Sequence, residues 1–382
     1  MLLILALFMS ILLVSIKSDR EGILAVFFVI ISAFCISLFD SLFYLVDVKR
    51  TFFQSDELTY YSLGEGLSKT ALSDRWGWVF LNKHVNLQLA DIPYLNKLLP
   101  VFSIPVFVFS ISKLTNPKWS AFFFIIFPFC LHMFGLNLRD MVVYSIVLFS
   151  IVNLTRFDFS LGFLTSCFFI FLLIFLRPFY VFILLSSIFV SFALTRLFTV
   201  KRKFYLFLKI CLFAVALVVV LWVSGYGKYL SRYLDYAGFL FDNGFTTLGG
   251  DKVSFGVVYL VESLLKFVFT PLPFSLFDKM LNVGFTSWGP VHDISRLVSQ
   301  LTLYTLIFFV AFVLFTDHKR VLQVIRECIY DRVYCSFFIF SVLNTFLYAI
   351  YYGGGGHGRT KVLLYLSLFV FVFKLVKYKN KR

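Results

Sequence analysis

Long uninterrupted runs of apolar residues dominate the chain and set its predicted architecture. Two of them, residues 22–46 and 204–225, are 25 and 22 residues long, whereas a helix needs about 20 apolar residues to cross a hydrocarbon core about 30 Å thick. The runs do not alternate with polar residues, which favours helices over the strands of a membrane barrel. The pattern predicts eleven transmembrane helices, at about residues 2–16, 22–46, 98–112, 119–135, 141–154, 160–176, 178–195, 204–224, 299–316, 334–352 and 362–376.

The composition agrees with this pattern. Of 382 residues, 60% are hydrophobic, 54 are Phe and only 14% are charged, and the mean hydropathy is +0.91. A water-exposed fold of this length could not bury that much apolar surface. We therefore predict an all-α, polytopic membrane helix bundle that forms one domain over residues 1–382. The first run lacks the basic leading region and the small-residue cleavage site of a removable signal peptide, so we count it as a span.

Lys and Arg collect in short connections between the predicted spans, which indicates that these connections face the cytoplasm. This places the N-terminus outside, the C-terminus inside, and two long loops, residues 47–97 and 225–298, on the outer face. The net charge of +15 is then mainly a topology signal, and no nucleic-acid partner is expected. Nearly half of the 35 basic residues lie in five segments: KSDRE, KLTNPK, TRLFTVKRK, DHKRVLQVIRECIYDR and KLVKYKNKR.

This topology sends several polar groups to the outer face. Arg139 and Arg177 occupy very short turns between apolar runs, in the segments NLRD and LRPF. A charge at mid-depth in a membrane costs about 2.5 kcal/mol or more, so such residues are functional candidates by default. The other outward groups are Asp56, Glu57 and Tyr60 in SDELTYYSLGEGL, Asp140 in NLRD, and His357 and Arg359 in GGGGHGRTK.

These residue types suit glycosyl transfer from a polyprenyl-linked donor. A guanidinium group grips phosphate oxygens bidentately and can neutralise a pyrophosphate leaving group. A carboxylate can accept the proton of an attacking sugar hydroxyl as a general base. Aromatic rings such as that of Tyr60 can stack on the faces of sugars. The glycines before His357 would let backbone approach a ligand closely, and His357 could carry a proton.

Each candidate also has a structural interpretation. Asp56 is a good N-cap for a helix over residues 57–69, with Glu57 in its first turn. Arg139 and Arg177 could be interfacial anchors, with Asp140 serving only to neutralise Arg139. Two further features of the late outer loop are interpreted structurally: His292 and Asp293 as a helix cap, and residues 257–270 as a short interfacial helix.

No cofactor is predicted. His84, His292 and His357 are scattered, and the chain contains no HxxxH, HExxH or DxD cluster. A divalent cation held by a carboxylate is the open alternative. The six Cys residues avoid both long outer loops, so no disulfide framework is indicated.

The segment SDELTYYSLGEGL resembles the first outer-loop element of the GT-C class of integral membrane glycosyltransferases, in which an Asp-Glu pair precedes Tyr and a helix of small and apolar residues. On that resemblance Asp56 matches the catalytic acidic position, with Glu57 as its near competitor. The pair departs from the pattern by following the second predicted span instead of the first, which leaves the subclass open.

The overall layout resembles polysaccharide repeat-unit polymerases of the O-antigen and capsule type. The shared features are the chain size, the Phe-rich spans, the NLRD and LRP turns and the long late outer loop. The resemblance implies polymerisation of polyprenyl-pyrophosphate-linked oligosaccharide repeat units on the outer face of the bacterial inner membrane, as in lipopolysaccharide assembly. Arg139, Arg177 and Arg359 would hold the pyrophosphate.

The expected partners are the lipid-linked glycan donor and acceptor, the bilayer and other polysaccharide assembly proteins. Two alternatives stay open. One is a GT-C transferase that moves a single sugar from a polyprenyl phosphate to a lipid or glycan. The other is a flippase or transporter of lipid-linked glycans, which would predict repeated halves and charges deep in the spans, where Asp40 is nearly the only acid.

Overall fold

The architecture is known from a computed structural model that describes most of the chain. Two predicted spans, residues 2–16 and 204–224, lie outside the described residues, as do Asp56 and His357. The described residues are 20–46, 57–60, 76–88, 96–155, 161–199, 245–246, 252–253, 257–286, 288–352 and 358–379.

Helices make up nearly all of the described structure, with a single helical turn at residues 57–60. Two short 3-10 helices, Leu99–Ser103 and Gly358–Lys361, and an antiparallel hairpin of β1 Phe245–Thr246 and β2 Lys252–Val253 complete it. The helices are α1 Arg20–Val46, α2 Trp76–Gln88, α3 Ile104–Leu114, α4 Pro117–Ile126, α5 Pro128–Phe134, α6 Asp140–Leu154, α7 Leu161–Leu176, α8 Pro178–Thr199, α9 Val257–Phe269, α10 Pro273–Asn282, α11 Pro290–Thr316, α12 His318–Tyr330, α13 Arg332–Tyr352 and α14 Val362–Lys379.

Proline sets many of the helix starts. The helices α4, α5, α8, α10 and α11 each begin at a Pro, because a first-turn position needs no N–H donor and the fixed φ of Pro suits the helix. Asn116 also caps α4 by accepting the N–H of Trp119 at 2.9 Å. The apolar run expected to be one helix over residues 119–135 is therefore divided at Phe127, where Pro128 opens α5.

Helix α6 lies at the centre of the bundle. Every one of its residues except Asn153 is buried, and it packs against α3, α7, α8 and α13. Among the described helices, α8 and α13 also pack extensively against each other. Because α6 is enclosed on all sides, Asp140 at its first position and Tyr144 one turn later are held by several neighbouring helices at once.

Among the described residues, four helices are long and apolar enough to cross a membrane, namely α1, α8, α11 and α13. The segment Leu99–Leu114, which is the first 3-10 helix continued by α3, would add a fifth span if it is counted together with α4. The two parts meet at 114°, as in a broken span or a re-entrant loop. On α11, Phe308, Phe312 and Phe315 are exposed along one face, as expected for a helix in contact with lipid. The helical membrane class is thus supported, while the count of eleven spans and their orientation stay predictions.

The late segment predicted as a loop over residues 225–298 contains helices in its described part. As expected, α9 is a short helix, and α10 follows it. Helix α11 begins at Pro290, well before residue 299, and its N-cap residue is Gly289. The interpretation of His292 and Asp293 as a cap was therefore wrong. Asp293 instead holds the preceding turn, by accepting the N–H and the hydroxyl of Thr286 at 2.6 and 2.8 Å.

Candidate functional site

Asp140 is the centre of a cluster of arginines. One of its carboxylate oxygens pairs with Arg177, and the other lies 3.9 Å from Nε of Arg359. The Asp140 side chain is only 8% exposed, whereas the Arg177 and Arg359 side chains are 21% and 24% exposed. A single buried carboxylate therefore contacts two arginines whose side chains are partly exposed.

Arg177 owes its position to a one-residue break between two helices. Its N–H still donates to the Leu173 carbonyl at 2.7 Å, and Pro178 then opens α8. The side chain leaves this break beside the first turn of α6, where Asp140 lies, and over the rings of Tyr180 and Tyr348. The short turn that the sequence singled out thus directs its arginine into the bundle.

Arg139 makes different contacts from its neighbour Asp140. Its Nη1 donates to the Leu176 carbonyl at 2.9 Å, and its guanidinium carbon lies 6.0 Å from the centroid of the Tyr60 ring. The ion-pair partners of Asp140 are Arg177 and Arg359. The interpretation that Asp140 only neutralises Arg139 is therefore corrected. Asp140 instead connects Arg177 and Arg359, which lie far apart in the sequence.

Glu57 lies in a buried polar network at the edge of this cluster. Its carboxylate accepts the backbone N–H of Asn137 at 2.7 Å and lies 3.7 Å from Nζ of Lys97, and both charged side chains are almost completely buried. The network continues through the Asn82 Oδ1 atom, which accepts from Asn137 at 2.6 Å and from Asn96 at 2.9 Å. These contacts attach the turn at residues 57–60 to the NLRD segment.

The 3-10 helix Gly358–Lys361 carries Arg359 and is anchored on both sides. The Tyr144 hydroxyl donates to the Arg359 carbonyl at 3.3 Å, and Nζ of Lys361 donates to the Thr270 carbonyl. A Cβ on Gly358 would lie 2.9 Å from the ring of Phe129, so a larger residue would not fit without a shift of that ring. Burial, with a smaller contribution from nearby Arg296, lowers the pKa of Lys361 to about 7.

The structure brings six of the eight predicted site residues into one continuous series of contacts. Glu57 and Tyr60 touch the NLRD segment, Arg139 touches the residue before Arg177, and Asp140 joins Arg177 to Arg359. Asp56 and His357 lie outside the described residues, each directly next to a described one.

Several residues of this cluster were not predicted from the sequence. They include Lys97, Asn82, Tyr180, Asn344 and Tyr348. Two signals were available: Asn344 and Tyr348 share a helix face at i, i+4, and a buried Asn inside an apolar span points to a polar contact. The contact of Lys97 with Glu57 joins positions far apart in the sequence, and no local pattern predicts it.

The cluster carries an excess of positive charge. Arg139, Arg177 and Arg359 count +3 and Asp140 counts −1, which leaves a formal charge of +2. Glu57 and Lys97 balance each other. Excess charge in a partly buried position is stabilised by an anion, and guanidinium groups match the oxygens of phosphate. Among the described residues, the cluster therefore has an excess of positive charge of the kind that complements an anion.

In the part of the chain that the structure describes, no group of three or more His, Cys, Asp or Glu side chains is arranged to hold a metal ion. No protein-family model matches the chain, and no curated protein or solved structure matches it either.

Proposed function

We propose that this chain is a membrane glycosyltransferase that joins polyprenyl-pyrophosphate-linked oligosaccharide repeat units on the outer face of the bacterial inner membrane. The observation that carries the proposal is the pair of partly exposed arginines, Arg177 and Arg359, on the two oxygens of Asp140. Such a pair, with Arg139 beside it, suits a ligand with two linked phosphates.

In the proposed reaction, an acceptor hydroxyl attacks the anomeric carbon of the donor. A bond forms between the acceptor oxygen and that carbon, while the bond from the carbon to the pyrophosphate oxygen breaks. The lipid pyrophosphate leaves with the electron pair, and Arg177 and Arg359 stabilise its developing charge. The proton of the acceptor hydroxyl passes to a carboxylate general base.

Asp56 is the better candidate for this base. The carboxylate of Glu57 is buried and is already used by the N–H of Asn137 and by Lys97. A general base must come within hydrogen-bond reach of its substrate. We therefore assign Glu57 to positioning the SDEL segment, and the catalytic task to Asp56, its neighbour in the sequence.

The proposed orientation places the cluster at one end of the bundle. Asp140 opens α6, Arg177 separates α7 from α8, and Arg359 precedes α14. Residues at three such connections meet only if the connections lie at the same end. With eleven spans and cytoplasmic basic loops, that end is the outer face.

Complementation of a deletion strain tests the proposal. Asp56→Asn keeps the capping ability of the residue but cannot take a proton, so surface lipid-linked glycan should stop at one repeat unit. Arg177→Lys keeps the charge but loses bidentate binding, and it should lower polymer output about tenfold. The matched control is Arg332→Lys, because Arg332 also lies over an aromatic ring, that of Phe192, but outside the cluster.

The outcomes separate the alternatives. If the long-chain ladder persists but each repeat lacks one sugar by mass, the chain is the single-sugar transferase instead. If Asp56→Asn and Arg177→Lys both keep the normal ladder and the normal repeat mass at normal protein level, the glycosyltransferase proposal is wrong.

A further inference from the structure

The guanidinium group of Arg177 lies over two tyrosine rings as well as beside Asp140. Its central carbon is 5.3 Å from the ring centroid of Tyr180 and 5.6 Å from that of Tyr348. A cation within about 6 Å of a ring face is attracted by the negative face of the π-system, and more strongly where water is excluded. Tyr180 and Tyr348 are both buried. The two rings therefore restrict where this long side chain can point.

The hydroxyls of these tyrosines are used within the protein. The Tyr180 hydroxyl donates to Asn344 Oδ1 at 2.7 Å, and it lies 3.1 Å from the Tyr348 hydroxyl. Because Tyr180 has one hydroxyl proton, the Tyr348 hydroxyl must be the donor between the two tyrosines. Both protons are then used in hydrogen bonds within the protein. The contact of the tyrosines with Arg177 is therefore made by their rings and not by their hydroxyls.

These side chains come from α8 and α13, which pack extensively against each other. Tyr180 lies in the first turn of α8, and Asn344 and Tyr348 lie on one face of α13. Asp140 belongs to α6. Arg177 is thus supported from two directions, by a charge on one helix and by rings on two others.

We propose that Tyr180 and Tyr348 are positioning residues that hold the Arg177 guanidinium group ready for one phosphate of the substrate. The inference rests on the function proposed above, since it gives the same arginine its geometry. An arginine held before binding loses less freedom when the anion arrives, which strengthens binding without any new contact to the ligand. The cation–π contribution depends on the ring and not on its hydroxyl.

The test measures binding of inorganic pyrophosphate to the full chain in lipid nanodiscs by titration calorimetry. Tyr348→Leu should weaken binding about tenfold, whereas Tyr348→Phe should stay within about threefold of the wild type. The matched control is Phe192→Leu, which removes a ring from beneath Arg332 at 5.1 Å and should leave pyrophosphate binding unchanged.

Two further measurements keep the proposal falsifiable if Tyr348→Leu fails to fold. Fluorinated phenylalanines at position 348 weaken the ring's negative face at nearly constant shape, so affinity should fall with each added fluorine. In an Arg177→Ala background, Tyr348→Phe and its fluorinated relatives should bind alike, because their effect acts through the arginine.

Failure of this inference and failure of the proposed function give different results. If the wild type does not bind pyrophosphate, the proposed function loses its anion site and the inference falls with it. If the wild type binds but affinity is the same in Tyr348→Leu and across the fluorinated series, only the positioning role is wrong. An equal loss in the Arg177→Ala background would also overturn the positioning role.

Discussion

Replacing Asp140 with Asn gives the sharpest test of the arginine cluster. The substitution removes the carboxylate that contacts both Arg177 and Arg359, and it raises the formal charge of the described cluster from +2 to +3. Removing one partner of a buried ion pair typically costs 3–5 kcal/mol. The two arginine side chains are 21% and 24% exposed, so solvent screens part of the repulsion. We expect a loss of about 2–3 kcal/mol in the free energy of unfolding.

The assay is unfolding of the purified full chain in detergent micelles. The matched control is Glu262→Gln, because Glu262 also forms an ion pair, with Lys266 at 2.5 Å, but both side chains are more than 40% exposed. An exposed pair at i, i+4 contributes about 0.3–0.5 kcal/mol, so this control should differ little from the wild type. If Asp140→Asn is no less stable than Glu262→Gln, Asp140 does not hold the cluster together.

Added pyrophosphate should compensate for the lost carboxylate. A ligand that binds only the folded protein stabilises it by about 1.4 kcal/mol at ten times its dissociation constant. Because the cluster of the variant is more positive, the same pyrophosphate concentration should stabilise Asp140→Asn more than the wild type. Equal stabilisation of both proteins would refute this electrostatic reasoning, and stabilisation of neither would refute the view of the cluster as an anion site.

Three other predictions concern the supports of the site. Burial lowers the folded-state pKa of Lys361 from 10.5 to about 7, so between these pH values the unfolded chain binds more protons than the folded protein. The stability of the wild type relative to Lys361→Met should therefore rise with pH from about 7 to 10.5, as measured by thermal unfolding at several pH values. Glu57→Gln removes the buried carboxylate that pairs with Lys97 and should cost about 3–5 kcal/mol in unfolding measurements. The double variant Glu57→Gln with Lys97→Met should restore part of this loss in a double-mutant cycle. Gly77→Ala places a Cβ 2.8 Å from the Phe175 carbonyl oxygen, so it should force α2 and α7 apart and cost about 1–3 kcal/mol in unfolding measurements.

Several helices could be predicted from the sequence, because each is marked by an apolar run or a proline within its own segment. The apolar runs at residues 22–46, 178–195 and 334–352 correspond to α1, α8 and α13 within a few residues, because the length of an apolar run and a proline at its start are properties of one segment. The break at Phe127 was missed because hydrophobicity continues across it, although Pro128 was visible as a signal.

The candidate residues were also predicted from local sequence, because charged residues in short connections between apolar runs are unusual. Arg139 and Arg177 were identified by this argument, and Arg359 by the glycine-rich stretch that precedes it. The residues that contact these arginines could not be predicted in this way. Sequence adjacency suggested that Asp140 neutralises Arg139, yet its carboxylate lies with Arg177 and Arg359.

Only the packing of α6, α7, α8 and α13 decided these partners. Successive side chains on a helix point about 100° apart, so neighbours such as Arg139 and Asp140 face different surroundings. Which groups meet them then depends on helices far away in the sequence. Tyr348 reaches Arg177 in this way, and Lys97 reaches Glu57. The sequence by itself determined the helices and where the unusual charges fall, and the tertiary structure determined which charges and rings act together.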